Sequence, residues 1–239
     1  MFAVIFEVKP KKERKDDYLA LAKTLKPELE KIDGFIDNER FGSKRTEGLV
    51  LSLSTWRDEK AVIRWRTLGV HHEIQAKGRN EIFEDYHLRV GEITADTHIP
   101  EGQKLQEQHF DETGVALSKV ATISELADLD KKPASSDLPA DLSLSAIGKS
   151  GVLDQDVFES ITNPGKLLLL VSWQDAAAAS AWQPTIPAGR KLRHRQVRII
   201  RDYGMLDRRE APQFYPPVDG AGCPYEKKPP ATFENKPEL

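Results

Sequence analysis

The sequence is poor in cysteine and in long apolar runs, and it carries no strong excess of either charge. A single cysteine, Cys223, excludes an intramolecular disulfide and fits a reducing compartment. Apolar runs such as residues 167–171 are far too short to span a bilayer. A net charge of −3 provides no global field for nucleic acid. These absences argue against a disulfide scaffold, a membrane protein and a basic nucleic-acid binder.

The start of the chain also lacks the pattern of a targeting segment. Residues 1–10 do not show the basic, apolar and small-residue regions that follow one another in a secretory signal peptide. Together with the lone cysteine, this predicts a cytoplasmic protein whose partners include neither membrane nor nucleic acid.

What the sequence does contain is an internal repeat, marked by its four tryptophans. Trp56 and Trp65 have the same spacing as Trp173 and Trp182, and the second pair follows the first by 117 residues. The same shift superposes Gly34 on Gly151, Asp37 on Asp154, Phe41 on Phe158, Asp58 on Asp175 and Ala61 on Ala178. Self-similarity of this quality predicts a tandem of two related structural units.

The repeat and the composition together divide the chain into four segments. We predict a first domain over residues 1–95, a linker over 96–115, a divergent second domain over 116–206 and a proline-rich arm over 207–239. Residues 211–239 hold seven prolines interleaved with aromatic residues. Such a segment forms no core of its own, so it is either an arm docked by its aromatic side chains or a disordered end.

Each unit is predicted to follow the order β-α-β-β-α-β. In the first unit we predict strands over residues 3–8, 35–43, 49–56 and 83–93, and helices over 16–32 and from Asp58 onward. In the second unit, under the same 117-residue shift, we predict strands over 120–124, 151–160 and 166–173 and a helix reduced to 138–147. The linker is predicted to hold a short helix over 104–110.

The second helix of the first unit carries the most informative pattern. Its candidate stripe has intervals of three and four residues, as in one face of a helix, and consists of Ala61, Trp65, Leu68, His72, Gln75 and Arg79. The stripe begins apolar and ends polar, and packing alone explains this poorly because each buried polar group needs a partner. The alternative is that Gly69 breaks the helix, so that the register slips and His72 either caps the helix or faces solvent.

These features together resemble the antibiotic biosynthesis monooxygenase family of the dimeric α+β barrel superfamily. The resemblance rests on the strand order, on the Trp56-Arg57-Asp58 start of the second helix, on the spacing of Trp65, His72 and Gln75, and on the Phe83, Tyr86, Leu88, Val90 strand. It covers residues 1–93 well and reaches residues 120–206 mainly through the repeat. It implies an α+β fold in which two ferredoxin-like βαββαβ units join into an intramolecular dimeric α+β barrel, with a further homo-oligomer as a possibility.

The resemblance also implies an activity and a set of site residues. The family includes oxygenases that need no cofactor and oxidise quinol-like aromatic substrates with dioxygen, and we expect such a monooxygenase, without a metal ion, in the first unit. His72, Trp65 and Gln75 are the expected catalytic residues, with His72 as the base because histidine titrates near neutrality. The expected substrate-binding residues are Phe6, Leu68, His71, Arg79, Phe83 and Tyr86.

Haem and metal chemistry fit the sequence less well. The haem-degrading branch of the family uses a histidine ten residues after the matching tryptophan and an asparagine on the first strand, where this chain has Gln75 and Phe6. Haem ligation by His71, His72 or His87 in another geometry stays open as an alternative. His72-Glu73 resembles the start of a zincin helix, but Ala76 stands where the second ligand is needed.

A basic cluster surrounds the last predicted strand, and we expect a solvated charged face there, with a patch for an anionic substrate or partner as the alternative. The cluster consists of Arg190, Lys191, Arg193, His194, Arg195, Arg198 and Arg201. The rival to the enzyme hypothesis as a whole is a binding or stress-related module without chemistry, because this fold serves many purposes.

Overall fold

A computed structural model describes residues 1–128, 137–144, 150–186 and 189–212. The first unit consists of β1 (Phe2–Pro10), α1 (Lys15–Glu30), β2 (Phe35–Ser43), β3 (Val50–Trp56), α2 (Glu59–Thr67), α3 (Gly69–Lys77) and β4 (Phe83–Asp96). The second unit consists of β5 (Val120–Asp128), α4 (Leu138–Asp141), β6 (Val152–Ser160), β7 (Leu167–Trp173), α5 (Ala176–Ala181) and β8 (Arg190–Gly204). A 3-10 turn over Lys12–Arg14 precedes α1, and a π-helical turn over Gly78–Ile82 follows α3.

The eight strands form one closed antiparallel barrel in the order β1-β3-β2-β6-β7-β5-β8-β4. Each unit contributes four strands, and the two four-stranded sheets meet where β2 pairs with β6 and where β4 pairs with β8. Closure leaves no free sheet edge in either unit. The predicted fold, an intramolecular α+β barrel of two ferredoxin-like units, is confirmed.

The two units share their local geometry at the repeated positions. Asp58 and Asp175 cap α2 and α5 by accepting hydrogen bonds of 2.8 Å from the backbone N–H three residues later. Gly34 and Gly151 adopt φ of +91° and +73°, and a Cβ atom on either would lie within 2.7 Å of the Ala61 or Ala178 Cβ atom. Glycine is therefore required twice, for its left-handed backbone and for close packing of the helix.

The repeat shifts by one residue at the first strand of each unit. Phe2 pairs with Trp56, and Val120 pairs with Trp173 in the same way, so β1 and β5 correspond at 118 residues. The prediction of one common shift of 117 residues was wrong here. Trp56 and Trp173 are both fully buried, as expected for residues at the ends of matching core strands.

Alternation along the strands fills the barrel with apolar side chains of both units. Ile5 and Ile123 lie at equivalent places in this core, and their cross-strand partners are Arg89 and Arg195. The Arg89 guanidinium is paired with Glu7, and the Arg195 guanidinium with Glu125. Each guanidinium also reaches the other unit: Arg89 donates to the Ser172 hydroxyl (2.9 Å) and Arg195 to the Thr55 hydroxyl (3.1 Å). Each unit thus holds one of two equivalent ion pairs inside the barrel, and the hydrogen bonds of their guanidinium groups connect the units.

These contacts correct the prediction of a solvated basic face on β8. Arg195 is 1% exposed and His194 is 6% exposed. Arg193 pairs with Asp96 at 2.8 Å, and Arg198 pairs with Glu92 at 2.7 Å. The partner carboxylates come from strands that are distant in the sequence, which the local pattern does not reveal.

Other local predictions need smaller corrections. The linker forms no helix over residues 104–110, which have no regular secondary structure. The backbone N–H groups of Gln108 and His109 donate to the Glu92 carboxylate. The helix predicted over 138–147 is described only as α4, and residues 145–149 lie outside the described residues, as do 213–239 of the proline-rich arm. Pro27 lies inside α1 without ending it. In the described part of the chain, no helix has the length and apolarity needed to cross a membrane.

Candidate functional site

A cavity of about 210 Å³ lies in the first unit, between the outer face of the sheet and the helices α1, α2 and α3. Its floor consists of two rows of cross-strand neighbours that run over β2, β3, β1, β4 and β8. One row is Arg40, Ser52, Phe6, Leu88 and Tyr203, and the other is Asn38, Ser54, Val4, Val90 and Arg201. The floor is therefore polar over β2 and β3 and apolar over β1 and β4.

The helices α1, α2 and α3 form the roof over this floor, and the roof is interrupted at Leu68. α2 ends at Thr67, and Leu68 has an extended backbone with φ −63° and ψ 126°, after which α3 starts at Gly69. The predicted continuous stripe does not form. The alternative, a break at Gly69 that turns His72 to solvent, is confirmed, with the break one residue earlier, at Leu68. His72 is exposed, and neither it nor Leu68 belongs to the lining of the cavity.

His71 takes the place in the cavity that the sequence suggested for its neighbour. Its ring stacks on the Trp65 indole with centroids 4.0 Å apart and an interplanar angle of 18°. Its Nδ1 lies 2.9 Å from the Trp65 carbonyl oxygen, which can only accept, so Nδ1 carries the proton and Nε2 keeps its lone pair. Burial lowers the pKa of His71 to about 4, and the ring is neutral at pH 7.

Phe6 of the floor and three further aromatic rings form an aromatic wall at the apolar half of the cavity. Phe6 contacts Phe83 (6.0 Å between centroids) and Tyr86 (5.7 Å), and Tyr18 contacts Phe83 (5.8 Å). The rings meet edge to face or tilted, the arrangement that aromatic quadrupoles favour. Of the nine predicted site residues, Trp65, Gln75, Phe6, His71, Arg79, Phe83 and Tyr86 line this cavity.

The lining carries five arginines and one acidic residue, Glu59. The sequence predicted only one of these arginines, Arg79, as a site residue. The arginines are Arg40, Arg66, Arg79, Arg201 and Arg208. Arg79 is 8% exposed and donates to the Met205 carbonyl at 3.4 Å. Arg208 donates to the Tyr86 hydroxyl.

The second unit and the segment after it complete the cavity. Arg201 and Tyr203 come from the end of β8, and Arg208 and Pro212 follow it. Glu210 fixes this segment by accepting hydrogen bonds from the Asp202 backbone N–H (2.7 Å) and the Thr113 hydroxyl (2.7 Å). Alternation in the last strand could have indicated Arg201 and Tyr203 as neighbours of one face, but no sequence signal points to Arg208 or Pro212.

The equivalent region of the second unit is packed with side chains. Trp182, the counterpart of Trp65, is 1% exposed, lies 5.8 Å from Trp173 between ring centroids, and donates its indole N–H to the Leu142 carbonyl at 3.1 Å. Leu138, Leu142 and Leu144 pack around it. The structure therefore gives Trp65 and Trp182 different surroundings on the same fold.

The remaining candidate haem ligand from the sequence lies elsewhere. His87 is half-exposed and its Nε2 lies 2.7 Å from Asp202, and it does not belong to the lining of the cavity. Over the ranges that the structure describes, no group of three or more His, Cys, Asp or Glu side chains is arranged to hold a metal ion.

Comparisons with known proteins agree with this architecture. The family model for antibiotic biosynthesis monooxygenase matches residues 1–77. A curated protein of Pyricularia oryzae, named jasmonate monooxygenase ABM, is 41% identical over 222 residues, which cover 91% of this chain and all of that protein. A solved structure of an aldoxime dehydratase is 10% identical and has a TM-score of 0.53 over 83% of this chain and 80% of that one, which shows a shared fold alone.

Proposed function

Because the chain belongs to the antibiotic biosynthesis monooxygenase family, we propose that it oxidises a small cyclic organic substrate with dioxygen in the cavity of the first unit. The observation that carries the proposal is the stacked pair of Trp65 and the neutral His71 at an apolar cavity of about 210 Å³. Pockets that enclose drug-sized ligands usually measure about 300–1,000 Å³, so this volume suits a smaller molecule.

The reaction that fits a site without cofactor converts an acidic CH₂ group into a carbonyl group. One oxygen atom of O₂ becomes the carbonyl oxygen, and the other leaves as water with the two hydrogens of the CH₂ group. The substrate supplies all four electrons, so the balance needs no external reductant. Hydroxylation of a CH group supplies only two electrons and would need a two-electron donor such as NADPH.

Within this proposal His71 replaces His72 as the base. The Nδ1–H bond to the Trp65 carbonyl fixes the ring and leaves Nε2 as the proton acceptor. A pKa of about 4 makes the empty site a weak base. Negative charge that develops on the substrate favours the imidazolium form and raises this pKa during proton transfer. Gln75 and Arg79 would hold the developing oxyanion, and Phe6, Phe83 and Tyr86 would enclose the ring.

Two substrate classes are candidates. Jasmonate is the first, because the relative named for it aligns over that protein's whole length. An apolar ring with a carboxylate also suits a cavity that has one apolar half and several arginines in its lining. A quinol-like aromatic, the substrate predicted from the sequence, is the second, because the wall of Phe6, Phe83, Tyr86 and Tyr18 offers edge contacts to an aromatic ring.

The test is oxygen uptake and product mass with jasmonate and with a panel of quinols and anthrones, each with and without NADPH. We expect His71→Gln to lower turnover by about 10²–10⁴-fold, the usual contribution of a positioned base. His72→Gln is the matched control, because it changes the adjacent exposed histidine, and should leave turnover within about twofold. Loss of turnover in the control alone would overturn the assignment of His71. No oxygen uptake with any compound, or a Soret band after haem addition, would count against the proposed activity.

A further inference from the structure

Two arginines of the cavity lining, Arg40 and Arg66, lack a carboxylate partner among the described residues. Glu59, the one carboxylate in the lining, is already bound to His109 at 2.5 Å and lies 3.8 Å from Arg201. Arg40 and Arg66 form no ion pair within 4.0 Å among the described residues. Removing guanidinium groups from water is costly unless an anion or hydrogen-bond acceptors compensate.

Arginines in the barrel wall show how this protein normally treats such a group. Arg89, Arg195, Arg193 and Arg198 all face a carboxylate that the fold supplies from another strand. Arg40 projects from the outer face of β2 into the cavity, and it faces no carboxylate there. Its Nε is buried without a hydrogen-bond partner, as are those of Arg89, Arg195 and Arg198. The position has the features of those pairs except for the anion.

Hydroxyl groups surround Arg40 in the polar half of the floor. Ser52 is its direct cross-strand neighbour on β3. The Arg40 guanidinium also interacts with the hydroxyl of Tyr18, which reaches the cavity from α1. Burial raises the pKa of Tyr18, so this hydroxyl remains a proton donor at neutral pH. Asn38 donates to the Ser52 hydroxyl at 3.1 Å, which leaves the Ser52 proton available for a second acceptor.

We propose that Arg40, with the hydroxyls of Tyr18 and Ser52, binds the carboxylate of an anionic substrate, and that this subsite orients the substrate in the cavity. The inference rests on the proposed function, since it places the substrate in the same cavity. Two strand spacings, about 10 Å, separate Arg40 on β2 from Phe6 on β1. A carboxylate at Arg40 therefore puts the apolar body of a small acid over Phe6 and Leu88, the apolar half of the floor.

The subsite makes the protein selective for acids over neutral analogues of the same shape. A quinol that carries no carboxylate would leave the Arg40 guanidinium without its anion. Of the two candidate substrate classes, the subsite therefore favours the carboxylic acid. Charge-assisted hydrogen bonds are roughly twice as strong as bonds between neutral groups, and the methyl ester cannot form them as a carboxylate does. We expect the acid to bind at least tenfold more tightly than its methyl ester.

The experiment compares jasmonic acid with methyl jasmonate by calorimetric binding and by oxygen uptake, with wild type, Arg40→Met, Arg66→Met and Arg64→Met. Arg64→Met is the matched control on α2, because Arg64 is exposed and paired with Asp33 outside the cavity lining. In Arg40→Met, acid binding should weaken about 10- to 100-fold while ester binding stays within about threefold. Arg40→Lys should restore part of the acid preference, and circular dichroism should show that each variant is folded.

The outcomes separate the subsite from the activity. Acid binding that depends on Arg40 but leads to no oxygen uptake supports the subsite and contradicts the proposed oxidation. Turnover with equal losses for acid and ester in Arg40→Met overturns the subsite and leaves the oxidation intact. The subsite is also overturned if wild type binds neither jasmonate nor its ester at millimolar concentration, or if Arg66→Met and not Arg40→Met removes the acid preference.

Discussion

The two units share one sheet geometry and differ in what lies between sheet and helices. In the first unit, α1 has 16 residues and α2 and α3 have 9 each, and together they enclose the cavity. In the second unit, α4 has 4 residues and α5 has 6, and Trp182 fills the space beneath them. Strand pairing is thus kept in both units, whereas the helices decide whether the outer face of a unit is a site or a core.

The largest expected effect comes from the tryptophan that fills the second unit. Trp182→Ala should lower the free energy of unfolding by about 3–5 kcal/mol, because it removes a fully buried side chain and its hydrogen bond to Leu142. Trp65→Ala should cost less than half as much, because Trp65 is only half-buried beside a cavity. Urea denaturation followed by circular dichroism measures both, and equal losses would contradict the distinction between the units.

The next effect is on the pH dependence of the free energy of unfolding, to which each unit contributes one histidine, His71 or His194. Burial, with a smaller contribution from the neighbouring Arg195, lowers the pKa of His194 to about 4, so the unfolded chain binds this proton between pH 6.5 and 4 while the folded chain does not. Stability should therefore be intact above pH 6.5 and fall by about 3 kcal/mol as the pH drops to 4. His194→Gln should remove this loss in urea titrations at a series of pH values.

His71 provides a comparison for that measurement, since its pKa is lowered to the same value in the cavity. Saturating substrate should change the pH dependence contributed by His71 and leave that of His194 unchanged, because His194 lies between Trp182 and Ser124 in a packed core. A ligand effect on the His194 contribution would contradict the assignment of the site to the first unit.

The smallest effects should be equal in the two units, because they test what the units share. Gly34→Ala and Gly151→Ala each place a side chain in a left-handed conformation and against the Cβ atom of Ala61 or Ala178. Each should cost about 1–3 kcal/mol of stability, measured by the shift of the urea midpoint. Tolerance at one position only would show that the repeated glycine has kept its role in one unit alone.

The sequence was a good guide where structure depends on periodicity and on repeated turn residues. The first unit's strands and helices, the Asp58 cap and the burial of Trp56 and Trp173 follow from alternation, capping and the repeat. Even the divergent second sheet could be found, because its glycine and tryptophan positions carry the same backbone constraints.

The site was less predictable because it depends on one backbone rotation and on distant partners. Because the backbone of Leu68 is not helical, His71 lies at the cavity in the place that helical spacing gives to His72. Helical spacing treats Gly69 only as a weak breaker, and the two adjacent histidines differ in nothing but register. The arginines Arg40, Arg201 and Arg208 come together from β2, β8 and the segment after it, and tertiary pairing of this kind has no local signature.

The length of β8 has a consequence for how the protein is made. This strand belongs to the second unit, yet it extends along β4 and carries Arg201 and Tyr203 to the floor of the first unit's cavity. Chains fold from the N-terminus as they leave the ribosome, so the first sheet can pair early but its pocket must wait for the last strand. The cavity of the first unit is therefore complete only after β8 and the segment that carries Arg208 have left the ribosome.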